Sequence, residues 1–455
     1  MIGALISFVT IPVITLYITP DEFGKASMFT VVQFFVSSFI YLGMDQSFTR
    51  EYHYVKNKNV LFQNALILPL LFSTIMIILG ILFKEQFSVF LFEDSRYTDI
   101  SILFGIMSVF MVVERFILLS IRMEEKAAEY SFYSVLVKII VFIVTLLMVI
   151  YGDRNFLSIV YSTIFGQIIG DIILIVKYNY LLRFKRSYVD KKLIKNMLIF
   201  GLPIIVSSSL YNLLNTLGRF FLRGFSTFHE IGIYTAALKI AGILSLVQVT
   251  FTSFWVPVAY RWNKEKKEMK YFNYMSDLIL FLMTIVFFFV VFFKKYIVLI
   301  LSSEYREAEY VAALLALTPI LYTISETTTL GIVFSGKSKY NIATSIFALL
   351  PAILLNALLV PYYGTVGASI STAFAYLIFY FIRTYFSIKC GFNIKVKHQV
   401  PVVFILFMVA VFNSFNNKFI IIINLLLMIV SIFLQYRFVL TSISIIKEPN
   451  NWDFT

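Results

Sequence analysis

Residues 340–382 read YNIATSIFALLPAILLNALLVPYYGTVGASISTAFAYLIFYFI, an uninterrupted run without a charged side chain between Lys339 and Arg383. About twenty apolar residues carry one helix across hydrocarbon, so this run is twice the length of a single crossing. Pro361-Tyr362-Tyr363-Gly364 interrupts it with a turn signal. The stretch therefore predicts two membrane helices, near 340–360 and 365–385. Shorter charge-free runs recur along the chain: Lys25 to Asp45, Lys58 to Lys84, Lys195 to Arg219 and Lys239 to Arg261. Each matches one crossing. Extended to the whole sequence, the same reading gives about fourteen transmembrane helices. The other twelve lie near 1–18, 26–44, 60–83, 100–121, 130–151, 156–176, 197–222, 231–258, 275–300, 310–333, 399–416 and 419–437.

The composition agrees. Of 455 residues, 60% are hydrophobic and 14% charged, against about a quarter charged in a soluble chain. One cysteine, Cys390, excludes disulfides and cysteine-based metal sites within the chain. His53, His229 and His398 are scattered, and no phosphate loop or nucleophile elbow is present, so no catalytic residue, metal or cofactor is expected. The net charge of +13 is what basic cytoplasmic loops supply and does not imply nucleic acid. With both termini placed in the cytoplasm, about two-thirds of the 38 Lys and Arg fall on that side, as the positive-inside rule requires. The opposite loops are short and relatively acidic, with Glu85, Glu93, Asp94 and Asp99 in one and Glu304, Glu307 and Glu309 in another.

The two halves echo each other at a nearly constant offset. Glu22-Phe23-Gly24 matches Glu230-Ile231-Gly232, 208 positions on; Arg50 matches Arg261 and Lys126 matches Lys337 at 211; Gly152 matches Gly364 at 212. This predicts a duplicated six-helix bundle in parallel repeat, an arrangement that suits a transporter with its path between bundles. The expected layout is an N-terminal bundle over 1–182, a basic linker over 183–196, a C-terminal bundle over 197–390, and an extra helix pair with a cytoplasmic tail over 391–455. Gly201-Leu202-Pro203, at the start of the seventh helix, has no counterpart after Met1, so the first helix reads as shortened.

The order Thr19-Pro20-Asp21-Glu22-Phe23-Gly24, Gly43-Met44-Asp45-Gln46 and Arg50 resembles the Wzx-type polysaccharide (O-antigen repeat-unit) flippases. These belong to the multidrug/oligosaccharidyl-lipid/polysaccharide exporter superfamily. Gly201-Leu202-Pro203, the run Gly232 to Ile240, Trp255-Val256-Pro257 and Tyr363 to Ala368 extend the resemblance over nearly the whole chain. It implies an all-α, multidrug-exporter-like fold. It also implies an undecaprenyl-pyrophosphate-linked oligosaccharide as cargo, alternating access, and residence in the bacterial cytoplasmic (inner) membrane during lipopolysaccharide or capsule synthesis. Membrane lipids, a polysaccharide polymerase and glycosyltransferases of the same pathway are the partners it suggests. Arg219, where an acidic residue would be expected, departs from the pattern.

Ionisable groups inside hydrocarbon cost about 2.5–3.5 kcal/mol each on insertion scales unless paired or wetted. Those retained are the candidates for a transport path. Glu114, Arg115, Lys138 and Asp171 are expected at similar depth in the inner leaflet of the first half. They read either as an ion-pair network, Arg115 or Lys138 with Asp171 or Glu114, or as a functional site. In the second half Arg219 and Arg223 sit one turn apart near the outer end of the seventh helix, with Lys239 deeper in the eighth. Glu326 is the expected partner of Lys239 or a protonatable coupling group. Arg50 and Arg261 hold equivalent inner rims.

A cationic cleft between the bundles, lined by Arg50, Arg115, Lys138, Arg219, Arg223, Lys239 and Arg261, would replace the hydration that a pyrophosphate loses in lipid. Glu114, Asp171 and Glu326 are the candidates for ion coupling. Two other functions fit less well. A cation-coupled drug exporter should carry an acid in its first helix, and residues 1–18 are uncharged. A glycan polymerase or ligase needs a large outer loop, and every outer loop is short.

Overall fold

The computed structural model describes residues 2–337, 339–447 and 452. Every regular element among them is helical, as hydrocarbon demands of a backbone that must satisfy its own hydrogen bonds. The chain divides into two compact units, Met1–Thr216 and Leu217–Thr455.

In the first unit, α1 (Ile2–Tyr17) and α2 (Pro20–Ile40) are joined at Thr19, with Pro20 opening α2 where its missing N–H costs nothing. Leu42 and Gly43 then both take positive φ, 49° and 65°, and turn the chain into the short α3 (Met44–Glu51). Next come α4 (Lys58–Leu82), α5 (Lys84–Phe92), α6 (Thr98–Met123), α7 (Ala127–Tyr151) and α8 (Phe156–Lys177). Asn57 and Asn155 cap α4 and α8 with their side chains. Helix α6 packs on α4 and α8, and α7 packs on α8 and α1. The α7–α8 seam is close because Gly166 and Gly170 fall one turn apart. A Cβ at Gly166 would stand 2.8 Å from the Cα of Val141, and one at Gly170 about 3.1 Å from Val137. Small residues at this spacing let membrane helices approach where no hydrophobic force drives them together. Helix α9 (Lys191–Phe225) leads into the second unit.

That unit holds α10 (Phe228–Lys264), α11 (Met269–Val298), α12 (Ala308–Thr328), the short α13 (Leu330–Ser335) and α14 (Lys339–Lys389), followed by α15 (Gln399–Phe412), α16 (Ile420–Leu434) and α17 (Tyr436–Lys447). Helix α12 is the hub, packing on α10, α11 and α14 and buried over most of its length. The long α14 is two helices broken at Gly364 (φ 46°, ψ −125°), at the turn expected from Pro361 to Gly364. Trp255, Trp262, Phe272 and Phe392 form an aromatic core, packed with Leu330, at the end of α10 that carries the basic loop.

Ten described helices are each long and apolar enough to cross a membrane, or eleven when the bent pair α16–α17 is counted as one. Helices α1 and α15 are shorter, at 16 and 14 residues. The all-α, multi-pass architecture agrees with the sequence reading.

The repeat has a structural counterpart. Glu22, on α2, accepts a hydrogen bond from the backbone N–H of Phe156 at 2.7 Å, at the start of α8. Glu230, on α10, accepts one from the N–H of Thr365 at 2.6 Å, where α14 resumes after Gly364. Donors and acceptors are offset by 209 and 208 positions. In each unit a carboxylate near the start of one span caps the start of another, satisfying a backbone donor that a helix start leaves free.

Candidate functional site

The break at Leu42–Gly43 returns the chain so that Asp45, in the first turn of α3, is buried against α6. Its carboxylate accepts a 2.7 Å hydrogen bond from Arg115 and another of 3.1 Å from Gln46. The Arg115 guanidinium also lies 5.6 Å from the Tyr41 ring. Beside it on α6, Glu114 accepts from the side-chain amide of Gln167 at 3.3 Å. The same Gln167 nitrogen donates to Asp171, one turn further along α8, at 2.8 Å. Asp171 has no exposed surface, and its second oxygen has no hydrogen-bond partner.

Gln167 thus ties two carboxylates together with one NH2 group, and among the described residues no cation is bonded to either. The pairing differs from the one expected from sequence. Arg115 is taken by Asp45 rather than by Asp171 or Glu114. Lys138 lies over Gly3 of α1, close enough that a Cβ there would stand 2.9 Å from its Nζ.

In the second unit, Gly218 on α9 lets the Tyr234 hydroxyl of α10 approach, 2.9 Å from where a Cβ would be. Tyr234 is held by Thr372 of α14 at 3.0 Å. Arg219 follows Gly218 and is half-buried; its Nε is shielded from solvent without a hydrogen bond. Lys239, about three turns into α10 from Phe228, is exposed, and Arg219 is near enough to repel it. Neither cation has an acidic partner within 4 Å among the described residues.

Glu326 does not serve Lys239. It is buried on α12 and paired at 2.7 Å with Arg383 of α14, which also donates to Ser325 at 2.7 Å and rests over the rings of Tyr322 and Phe379. Arg383 ends the longest charge-free run, and sequence alone does not say on which side of the interface such a terminal charge falls. Arg115 and Glu326 are offset by 211, Asp171 and Arg383 by 212. The acid and the base have exchanged places between the two units.

Arg223 lies 5.1 Å from the Phe228 ring at the end of α9. Arg261, near the end of α10, is exposed. Arg50 is exposed as well, its guanidinium 4.3 Å from the Phe200 ring and 3.6 Å from Glu51. Among the described residues no group of three or more His, Cys, Asp or Glu is arranged to hold a metal.

Residues 1–263 match the family described as polysaccharide biosynthesis protein. No curated protein matches the sequence. Among solved structures, the chain is similar to one titled lipid II flippase MurJ, inward closed conformation. The identity is 16%, covering 98% of this chain and 97% of that one, with a TM-score of 0.73. It is also similar to an inward-facing multidrug resistance MATE family transporter of the MOP superfamily. There the identity is 15%, over 85% of this chain and 94% of that one, with a TM-score of 0.66. The outward-facing form of a MATE family transporter gives 14%, 87%, 94% and 0.59. At these identities the likeness is one of fold. The chain is a multi-pass membrane protein that belongs to the polysaccharide biosynthesis protein family, built on the fold of the MOP superfamily transporters.

Proposed function

We infer that the protein flips an undecaprenyl-pyrophosphate-linked oligosaccharide from the cytoplasmic to the outer leaflet of a bacterial inner membrane, by alternating access along a cationic path. The observation that carries this reading is the pair Arg219 and Lys239. Two cations that repel each other inside apolar spans, with no acid within 4 Å among the described residues, are costly unless an anion visits. A pyrophosphate headgroup supplies that anion, and its prenyl tail need never leave lipid. Arginine suits it because the guanidinium donates two parallel hydrogen bonds to phosphate oxygens. Membership of a polysaccharide biosynthesis family supports a saccharide cargo.

The acid pair Glu114 and Asp171 is the proposed coupling site. It binds a proton or small cation in one state and releases it in another. Glu326, held by Arg383, is the less suited of the three acids to that role. The same acid pair favours a second reading, a cation-coupled multidrug exporter of this fold, for which the acids would answer a cationic drug.

The test is deletion of the gene in its own host, with surface polysaccharide and lipid-linked intermediates followed. Loss of polymer, restored by the parent gene and not by Lys239→Ala at equal membrane abundance, is the expected result. Normal polymer in a host without a redundant flippase would overturn the reading.

A further inference from the structure

We propose that the second unit carries a separate binding pocket for the phosphate headgroup of an anionic membrane phospholipid, on the face that bears its basic loops. The pocket is a cavity of about 740 Å³ lined by Asn273 and Asp277 of α11, by the α14–α15 connection, and by Arg437 of α17. That volume lies within the range of about 300–1,000 Å³ usual for small-ligand sites.

Its construction follows from the connection. After Gly391, whose φ of 96° ends α14, Phe392 and Ile394 alternate inward and are buried in the aromatic core. Alternation sends Asn393, Lys395 and Lys397 outward. The backbone N–H of Lys395 is bonded to the Asn273 side chain at 2.9 Å, which pins the segment to α11. The acid in the pocket, Asp277, is already engaged. His398 bonds it at 2.6 Å and Gln399 at 3.0 Å. Lys395, Lys397 and Arg437 are exposed and form no ion pair among the described residues, so the pocket presents three cations against the single carboxylate of Asp277.

A lipid, rather than a soluble anion, is indicated by what adjoins the pocket. Helices α16 and α17 meet at an angle of 52°. Helix α17, with 12 residues, is too short to cross a membrane. It buries Phe438 against Phe281 and Tyr274, while Leu440, Ile443 and Ile446 are exposed. A short helix with this distribution lies in the interface, its apolar side among acyl chains. Basic pockets between membrane helices on the cytoplasmic side, and basic residues on amphipathic helices, bind anionic headgroups. One molecule with a phosphodiester and two acyl chains satisfies both features.

The experiment uses the full-length protein in nanodiscs and in mild detergent, with retained lipid counted by native mass spectrometry. Phosphatidylglycerol is expected to be retained and to raise the unfolding midpoint, while phosphatidylcholine does neither. The triple variant Lys395→Gln/Lys397→Gln/Arg437→Gln should weaken phosphatidylglycerol binding by at least about tenfold. A control variant, Lys191→Gln/Lys192→Gln/Lys195→Gln, should leave it unchanged. Equal loss in the control would show a diffuse surface effect and overturn the proposal. So would competition by millimolar inorganic phosphate, which would identify a free-anion site, or stronger competition by a prenyl pyrophosphate, which would return the pocket to the cargo. If the triple variant does not fold, Lys397→Gln alone must weaken binding about fivefold, and no weakening would also overturn it.

Discussion

The backbones of Gly43 and Gly201 touch. A Cβ added to Gly43 would stand 2.5 Å from the Gly201 carbonyl oxygen, and one added to Gly201 would stand 2.7 Å from that of Gly43. One glycine forms the α2–α3 turn and the other lies in α9, with Ser47 donating to the Met197 carbonyl at 2.6 Å nearby. Two of the loose glycine motifs on which the family resemblance rests are thus the two sides of one contact within the first unit. Gly201→Ala, with no φ penalty of its own, is expected to cost about 2–4 kcal/mol. Gly43→Ala adds the strain of a positive φ, about 1 kcal/mol more. Thermal unfolding in detergent measures both, and a Gly201→Ala protein as stable as the parent would refute the contact.

The two carboxylate caps should be worth the same. Glu22→Ala and Glu230→Ala are each expected to cost about 1–2 kcal/mol, because each leaves a helix-start N–H without its charged acceptor. Glu→Gln at either site should lose roughly half of that. Unequal losses between the units, read from unfolding midpoints, would argue against equivalent roles.

Removing one partner of the Glu326–Arg383 pair strands a charge in a nearly dry site. Arg383→Gln and Glu326→Gln are each expected to cost about 3–5 kcal/mol and to lower the amount of folded protein in the membrane. The exchanged variant Glu326→Arg/Arg383→Glu, which copies the polarity of Arg115 and Asp171, should recover a large part of that loss. Equal abundance of the exchanged and single variants would sink the idea that the site accepts either polarity.

Asp171→Asn keeps the shape of the side chain and removes the ionisable group. Folded abundance should stay within about 1 kcal/mol of the parent, since an uncharged group is easier to bury. Transport should lose its response to an imposed proton or sodium gradient. Flux measured in vesicles with and without each gradient checks this, and a variant that still answers the gradient excludes Asp171 from coupling.

Much of the frame is legible in the sequence because hydrocarbon imposes a single rule on every span. Charge-free runs locate helices, and Pro361 to Gly364 marks a break that the backbone makes at Gly364. The repeat is also legible, since Glu22 and Glu230 need the same neighbours in both units. Pairings inside the frame are not. Asp45 ends a charge-free run and reads as a loop residue; only the turn at Leu42–Gly43 brings it beneath Arg115. Arg383 is hidden the same way at the end of α14. Gln167, uncharged and therefore unremarked, links Glu114 to Asp171 through one amide, a geometry that has no signature in spacing.

The exchanged polarity of Arg115/Asp171 and Glu326/Arg383 bears on descent. If the halves arose from one ancestral bundle, the sign of these positions changed in one copy afterwards. A stepwise change passes through a protein with two like charges, or one charge alone, buried at the heart of a bundle. Such an intermediate survives only where something else answers the charge. In the first unit Asp45 fills that role for Arg115, and Asp171 is held by Gln167 instead. A borrowed counter-charge of this kind leaves its former partner unattended, and that is how an old structural ion pair can give rise to a new ionisable site.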